Sequence, residues 1–149
     1  MSEAEEREAV VRAARGWLGT RWEHRARVRG AGVDCGQLLA AVYEEAGIIP
    51  AVDPGAYPRD WHLHRGEERF LDLVERYAAP RAAGEPALPG DIVLFRYGRT
   101  LSHGGISLGG SEILHAFISA GRVVIDDLAR NLELGRRLAG AWNPWGRST

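Results

Sequence analysis

The chain has 149 residues, the size of one ordinary domain and enough to bury a hydrophobic core without disulfides or a structural metal. Hydrophobic and charged fractions of 45% and 26% are those of a soluble globular protein, and a formal net charge of -1 gives no electrostatic case for nucleic acid or an anionic membrane surface. A single cysteine can form neither an internal disulfide nor a multi-cysteine zinc site, so its thiol is either packed or reactive.

The opening stretch MSEAEEREAVVRAARGWLG is acidic and amphipathic, which is not the basic-then-apolar pattern of a secretory signal, and no apolar run approaches the length of a membrane span. The expectation is a protein made in the cytoplasm that reaches any outside target by another route. Val10, Val11, Ala14, Trp17 and Leu18 recur at helical spacing, with Gly19 placed as a stop. From Thr20 to Gly32 the chain is loop-like, rich in arginine and glycine, and leads to Asp34, a good helix N-cap. A second helix is predicted from Cys35 to about Ala46, with Leu38, Leu39 and Val42 on one face and Gly47 at its end. Three prolines break IIPAVDPGAYPRDW, and a third helix is predicted over Glu67 to Tyr77.

After APRAAGEPALPGD the texture changes to short runs, DIVLFRY, HGGISLG, EILHAFI, RVVIDDL and RLAGAWNP, which read as strands joined by glycine-bearing turns. Helices first and consecutive strands second predict an α+β fold, an antiparallel sheet packed on helices. No repeat or linker divides it, so residues 1–149 are expected to form one domain.

Cys35 falls in the first turn of the second helix, where unpaired N–H groups and the helix dipole favour a thiolate. A lone cysteine among apolar residues is also ordinary packing. A nucleophile needs an imidazole, and the imidazole needs a third group to fix its tautomer. His103 starts one predicted strand and His115 lies within the next. In SHGGISLGGSEILHAF a tight two-residue turn would pair His103 with Ala116 and point His115 away; a bulged turn at Gly109 and Gly110 would pair the two imidazoles directly. The alternative for His115, flanked by Ile113 and Phe117, is a satisfied core histidine. His24, in the arginine-rich loop, reads as solvated, and the alternating His62 and His64 lack partners to complete a metal set. No phosphate loop, dinucleotide fingerprint or zinc-protease helix appears, so neither metal nor cofactor is expected.

The order WLGTRW, GVDCGQLL, LPGDIVLF, SHGGISLG and ILHAF resembles NlpC-type cell-wall peptidases, a papain-like clan that cuts peptidoglycan stem peptides. The likeness runs from about Val10 to Pro144. It is similar in particular to the branch found with phage tails and gene transfer agents, through YPRDW, the Phe95–Arg96 pair and the late apolar strand. The resemblance implies a papain-like fold, with Cys35 as nucleophile, His103 as its base and His115 as the residue orienting that base. It implies a thioester acyl-enzyme, a stem-peptide substrate cleaved at the γ-D-glutamyl to diamino-acid bond, and tail proteins as possible partners. The alternatives carried with it are an inactive tail or baseplate module and an amidase or acyltransferase on the same triad.

The chain departs from the family pattern in two segments. Trp22 stands where the family has tyrosine, and an indole N–H can donate but not accept. Gly36 and Gln37 follow the cysteine where Ser-Gly is usual. Asp34, which in relatives helps hold the free amine of the stem peptide, is retained. Substrate contacts are therefore expected at Asp34, Trp22 and Gly36. Gln37 is expected to face solvent, and Arg25, Arg27 and Arg29 either meet substrate carboxylates or form a solvated loop. Trp61 and Trp142 either line a groove or pack in the core.

Overall fold

The structure is a computed structural model and describes residues 1–50 and 69–146. Helix α1 (Glu3–Arg15) starts at Ser2, whose hydroxyl accepts from the Glu5 N–H while the Glu5 carboxylate returns to the Ser2 N–H, a capping box. A two-stranded hairpin, β1 (Arg27–Val28) and β2 (Gly32–Val33), leads into α2 (Cys35–Glu45), followed by α3 (Arg69–Glu75). The remaining elements are β3 (Ala79–Pro80), β4 (Ile92–Tyr97), β5 (Thr100–Gly109), β6 (Glu112–Phe117), β7 (Arg122–Asp127), α4 (Leu132–Arg137) and β8 (Leu138–Asn143).

The main sheet is antiparallel with strand order β3-β8-β4-β5-β6-β7, as expected for the α+β fold. Strands β4 to β7 are sequential neighbours, and β8 returns to the far side of β4. Period-two alternation sends β4 to two cores. Ile92 and Leu94 face the helix side, where Val10, Ala14, Leu38, Val42 and Phe70 are buried; Val93 and Phe95 face the other side with Ile113 and the α4 residue Leu134. The sheet therefore carries helices on both faces, with α2 on one and the short α4 on the other.

One buried charged network fastens α1 to the sheet. Asp91, fully buried at the entrance to β4, accepts from Arg7 at 2.9 Å and from Arg81, and its Oδ2 also takes the Leu88 N–H at 2.9 Å. Arg7 spends its other donors on Glu3, the Pro89 carbonyl and Asn143. A buried charge needs such complete pairing, because a missing partner would leave it desolvated and unsatisfied.

Candidate active site

Asp34 has extended backbone (φ −111°, ψ 179°), and its Oδ1 accepts the Gln37 N–H at 3.0 Å, so α2 begins at Cys35 as the sequence implied. Its Oδ2 takes the Arg25 N–H at 2.6 Å, which holds Arg25 in the left-handed region at φ 62°. Asp34 is 2% exposed, and His24 approaches its Oδ2 at 3.9 Å. His24 is thus half-buried against the carboxylate next to the cysteine rather than solvated. Gln37 also departs from expectation: it is buried, and its Oε1 accepts from Arg27 Nε at 2.8 Å. The arginine loop is not a free cationic patch, since Arg27 also pairs with Glu44 and Arg29 pairs with Glu45. These bonds tie the β1–β2 hairpin to α2, an element the sequence read as loop.

The helix start does not make Cys35 a resting thiolate. Its half-buried thiol is pushed up to about 12, first by desolvation and then by the neighbouring Asp34 charge, while the N–H groups of Gly104, Gly36 and Cys35 pull the other way. The same carboxylate that caps the helix repels the negative sulfur, and the dipole expectation is overridden.

The two histidines meet. His103 Nε2 lies 2.7 Å from His115 Nδ1, on a sheet face where His103 is 8% exposed and His115 is fully buried. The register shift between Ser107 and Gly109 supplies the required bulge, with Gly109 and Gly110 both at positive φ. Ile106 pairs with Leu114, and continuing that register sets Gly105 opposite His115 and His103 opposite Phe117. The imidazoles are therefore diagonal neighbours on one face rather than directly paired, a correction to the expected register. Gly105 makes the diagonal possible, because a Cβ there would sit 3.0 Å from both His115 Cβ and the Leu114 carbonyl. Phe95, Phe117 and Tyr97 surround the pair, with Phe117 stacked on His115 at 4.7 Å and Tyr97 edge-on to His103 at 5.9 Å.

Burial holds His103 well below the usual histidine range, and the neighbouring His115 pushes the same way. Burial also lowers His115, against the opposing pull of Asp126. Asp126 is a partner the sequence reading missed: its Oδ2 lies 2.6 Å from His115 Nε2. Alternation in RVVIDDL does put Asp126 on the same face as Val124, the residue opposite His115, but only the β6–β7 register reveals that match. Among the described residues, Cys35 and the His103 ring are linked through Gly104, whose N–H faces the sulfur, and not by a hydrogen bond to each other. Catalytic hydrogen bonds are often long before substrate arrives.

Trp22 pairs with Val33 in a parallel bridge, its backbone N–H donates to Gly121 O at 2.8 Å, and its partly buried side chain packs against the core. Gly36 lines a narrow apolar cavity with Leu39, Tyr43, Phe70 and Tyr77. Trp142 packs in the core, and its indole N–H donates to Glu75 at 3.0 Å. Trp61, His62, His64 and the YPRDW segment lie outside the described residues. No helix among the described residues is long and apolar enough to cross a membrane.

The family model of the NlpC/P60 family matches residues 17–139. No curated protein matches the chain. Among solved structures, it is similar to an NLP/P60 family lipoprotein-like protein from Staphylococcus aureus, at 21% identity and TM-score 0.67, over 96% of this chain and 42% of that one. It is also similar to the NlpC/p60 domain of the peptidoglycan hydrolase SagA, at 18% identity and TM-score 0.59, over 92% and 97% of the two chains. The peptidoglycan hydrolase RipB from Mycobacterium tuberculosis is 19% identical with TM-score 0.56, over 96% and 67%. At these identities the likeness shows the shared fold, and the chain spans less than half the length of the S. aureus protein.

Proposed function

Because this chain belongs to the NlpC/P60 family, we propose that it is a single-domain cysteine peptidase of peptidoglycan stem peptides, acting at the γ-D-glutamyl to diamino-acid bond. The observation that carries this reading is the buried His103–His115 pair at 2.7 Å, on the strand whose Gly104 N–H faces the Cys35 sulfur. Both the family membership and the hydrolase descriptions of SagA and RipB support the substrate class.

In the proposed reaction, the Cys35 S–H proton passes to Nδ1 of His103 as the sulfur attacks the scissile carbonyl. The C–N bond then breaks, the His103 imidazolium protonates the leaving amine, and a thioester remains. Water, losing its proton to the same imidazole, hydrolyses the thioester and regenerates the thiol. The resting pair is a neutral thiol beside a neutral imidazole, so the proton moves during attack and not before it. The N–H groups of Cys35, Gly36 and Gly104 face the sulfur and are the donors for the developing oxyanion. Asp34, the carboxylate next to the nucleophile, is the proposed anchor for the substrate amine, with Trp22 and Gly36 lining the adjoining subsites.

Digestion of purified sacculi, with new termini identified by mass spectrometry, tests this reading. Wild-type protein should release fragments with new N-terminal diamino acids, and Cys35→Ala should release none. Undiminished digestion by Cys35→Ala would overturn it, and N-acetylmuramoyl-linked ends would assign an amidase instead. A second reading, a non-catalytic tail or baseplate module, is favoured by the raised thiol and its lack of a hydrogen bond to His103; it requires that wild-type protein digest nothing. Carriage on a phage tail or gene-transfer-agent particle is part of the proposal and rests on the Phe95–Arg96 and YPRDW resemblance. Mass spectrometry of purified particles tests it.

A further inference from the structure

Three strands contribute one polar side chain each to a diagonal line across the sheet. His103 on β5 reaches His115 on β6, and His115 reaches Asp126 on β7. On β6–β7 the direct partner of His115 is Val124, and Asp126 stands opposite Ile113, two residues further along the same face. Each step therefore moves one strand sideways and two residues along, a separation that long side chains span. The line is held at its middle ring and at its acidic end. Phe117 stacks on the His115 ring, and Asn131, the N-cap of α4, directs Nδ2 to Asp126 Oδ1 at 3.4 Å while its own Oδ1 takes the Leu134 N–H at 3.1 Å.

A neutral imidazole has one N–H and one lone pair, whereas a carboxylate only accepts. The acceptor at the end of the line therefore orders everything before it. Oδ2 of Asp126 requires the proton of His115 on Nε2, which leaves Nδ1 as a lone pair. That lone pair requires the proton of His103 on Nε2, which leaves His103 Nδ1 as the free base. Without Asp126 both rings could reverse together, and His103 would then present an N–H where the thiol needs an acceptor. We propose that Asp126 is a positioning residue: it fixes the tautomers of His115 and His103 so that Nδ1 of His103 is the nitrogen that takes the Cys35 proton. The inference rests on the peptidase reading above and extends it by a fourth residue.

The charged and titratable groups around the line are few. Tyr97 of β4 abuts His103, and Cys35 of α2 and Arg137 and Glu133 of α4 act on Tyr97. Among the described residues, Asp126 is the one anion bonded to either ring.

Selective ¹⁵N labelling of histidine and long-range ¹H–¹⁵N correlation read the tautomers directly. In wild-type protein at pH 7.5, both rings should carry the proton on Nε2. Asp126→Asn, whose amide oxygen can still accept, should keep that pattern, lose about tenfold in kcat with KM unchanged, and shift the acidic limb of its rate profile to lower pH. Asp126→Leu should show mixed tautomers and lose about a hundredfold in kcat. An Nδ1-protonated His103 in wild type, or an Asp126→Leu variant with unchanged kcat and pH profile, would overturn the inference. Cys35→Ala separates the two claims: if it still digests sacculi the peptidase reading fails, while its histidine tautomers test Asp126 regardless.

Discussion

At Cys35 two local effects oppose each other. The first turn of α2 offers N–H groups that stabilise a thiolate, but half-burial and the adjacent Asp34 charge win, and the thiol is raised to about 12. A helix end contributes of order 1 kcal/mol at most surface sites, too little to offset desolvation together with a carboxylate one residue away. Alkylation by iodoacetamide tracks the thiolate fraction. Its rate at Cys35 should therefore climb about tenfold per pH unit from pH 7 to 9, without the neutral-pH plateau of a preformed thiolate–imidazolium pair. Asp34→Asn keeps the capping oxygen and removes the charge, so it should alkylate several-fold faster at pH 8. A plateau in the wild type, or an Asp34→Asn rate no higher than wild type, would show that Asp34 is not what holds the thiol protonated.

Among the elements, the β5–β6 pairing matters most, because it decides whether the imidazoles share a face. Gly105 lies beneath their diagonal contact, and a methyl group there would press on His115 Cβ and the Leu114 carbonyl, a backbone atom that cannot swing aside. Gly105→Ala should cost about 1–3 kcal/mol by overpacking, measured by urea denaturation, and should lower kcat by separating the rings. A variant as stable and as active as wild type would mean that the strands yield without disturbing the pair. This element also marks how far the sequence could be read. The five strand runs, α1, α2 and the Cys35 helix start were legible from periodicity and capping residues, and the paired glycines correctly signalled a bulge. The diagonal offset was not legible, since one residue of register decides it and no local signal fixes which. The β1–β2 hairpin was hidden because Arg27 and Arg29 look like solvated charge until Gln37, Glu44 and Glu45 are seen across from them. Asp126 was hidden for a similar reason, its partner being eleven residues away on another strand.

For the whole molecule, the buried pair makes stability depend on pH in a definite direction. Folding holds His103 and His115 below the ordinary value of 6.5, so between the folded and unfolded values the unfolded chain binds protons that the fold refuses. Stability is then complete above about pH 6.5 and falls as pH drops below it, by up to about 1.4 kcal/mol per pH unit for each refused proton. At the alkaline end the sign reverses. The unfolded thiol ionises from its ordinary value of 9.0, whereas folded Cys35 stays protonated to about 12, so stability falls as pH rises through that interval. Glu5 and Asp127, held low by hydrogen bonds from Ser2 and from Ser111 and Ala129, act only in the more acidic carboxylate window and leave the histidine window separable. Urea unfolding followed at pH 5.0, 6.0 and 7.5 should therefore show a steep loss on the acid side. Replacing both histidines by glutamine should flatten that slope between pH 7.5 and 5.0, whatever it does to the absolute stability, because glutamine takes up no proton in either state. If the slope survives the double replacement, the acid sensitivity does not come from the buried imidazoles, and the cost of burying them is met without proton linkage.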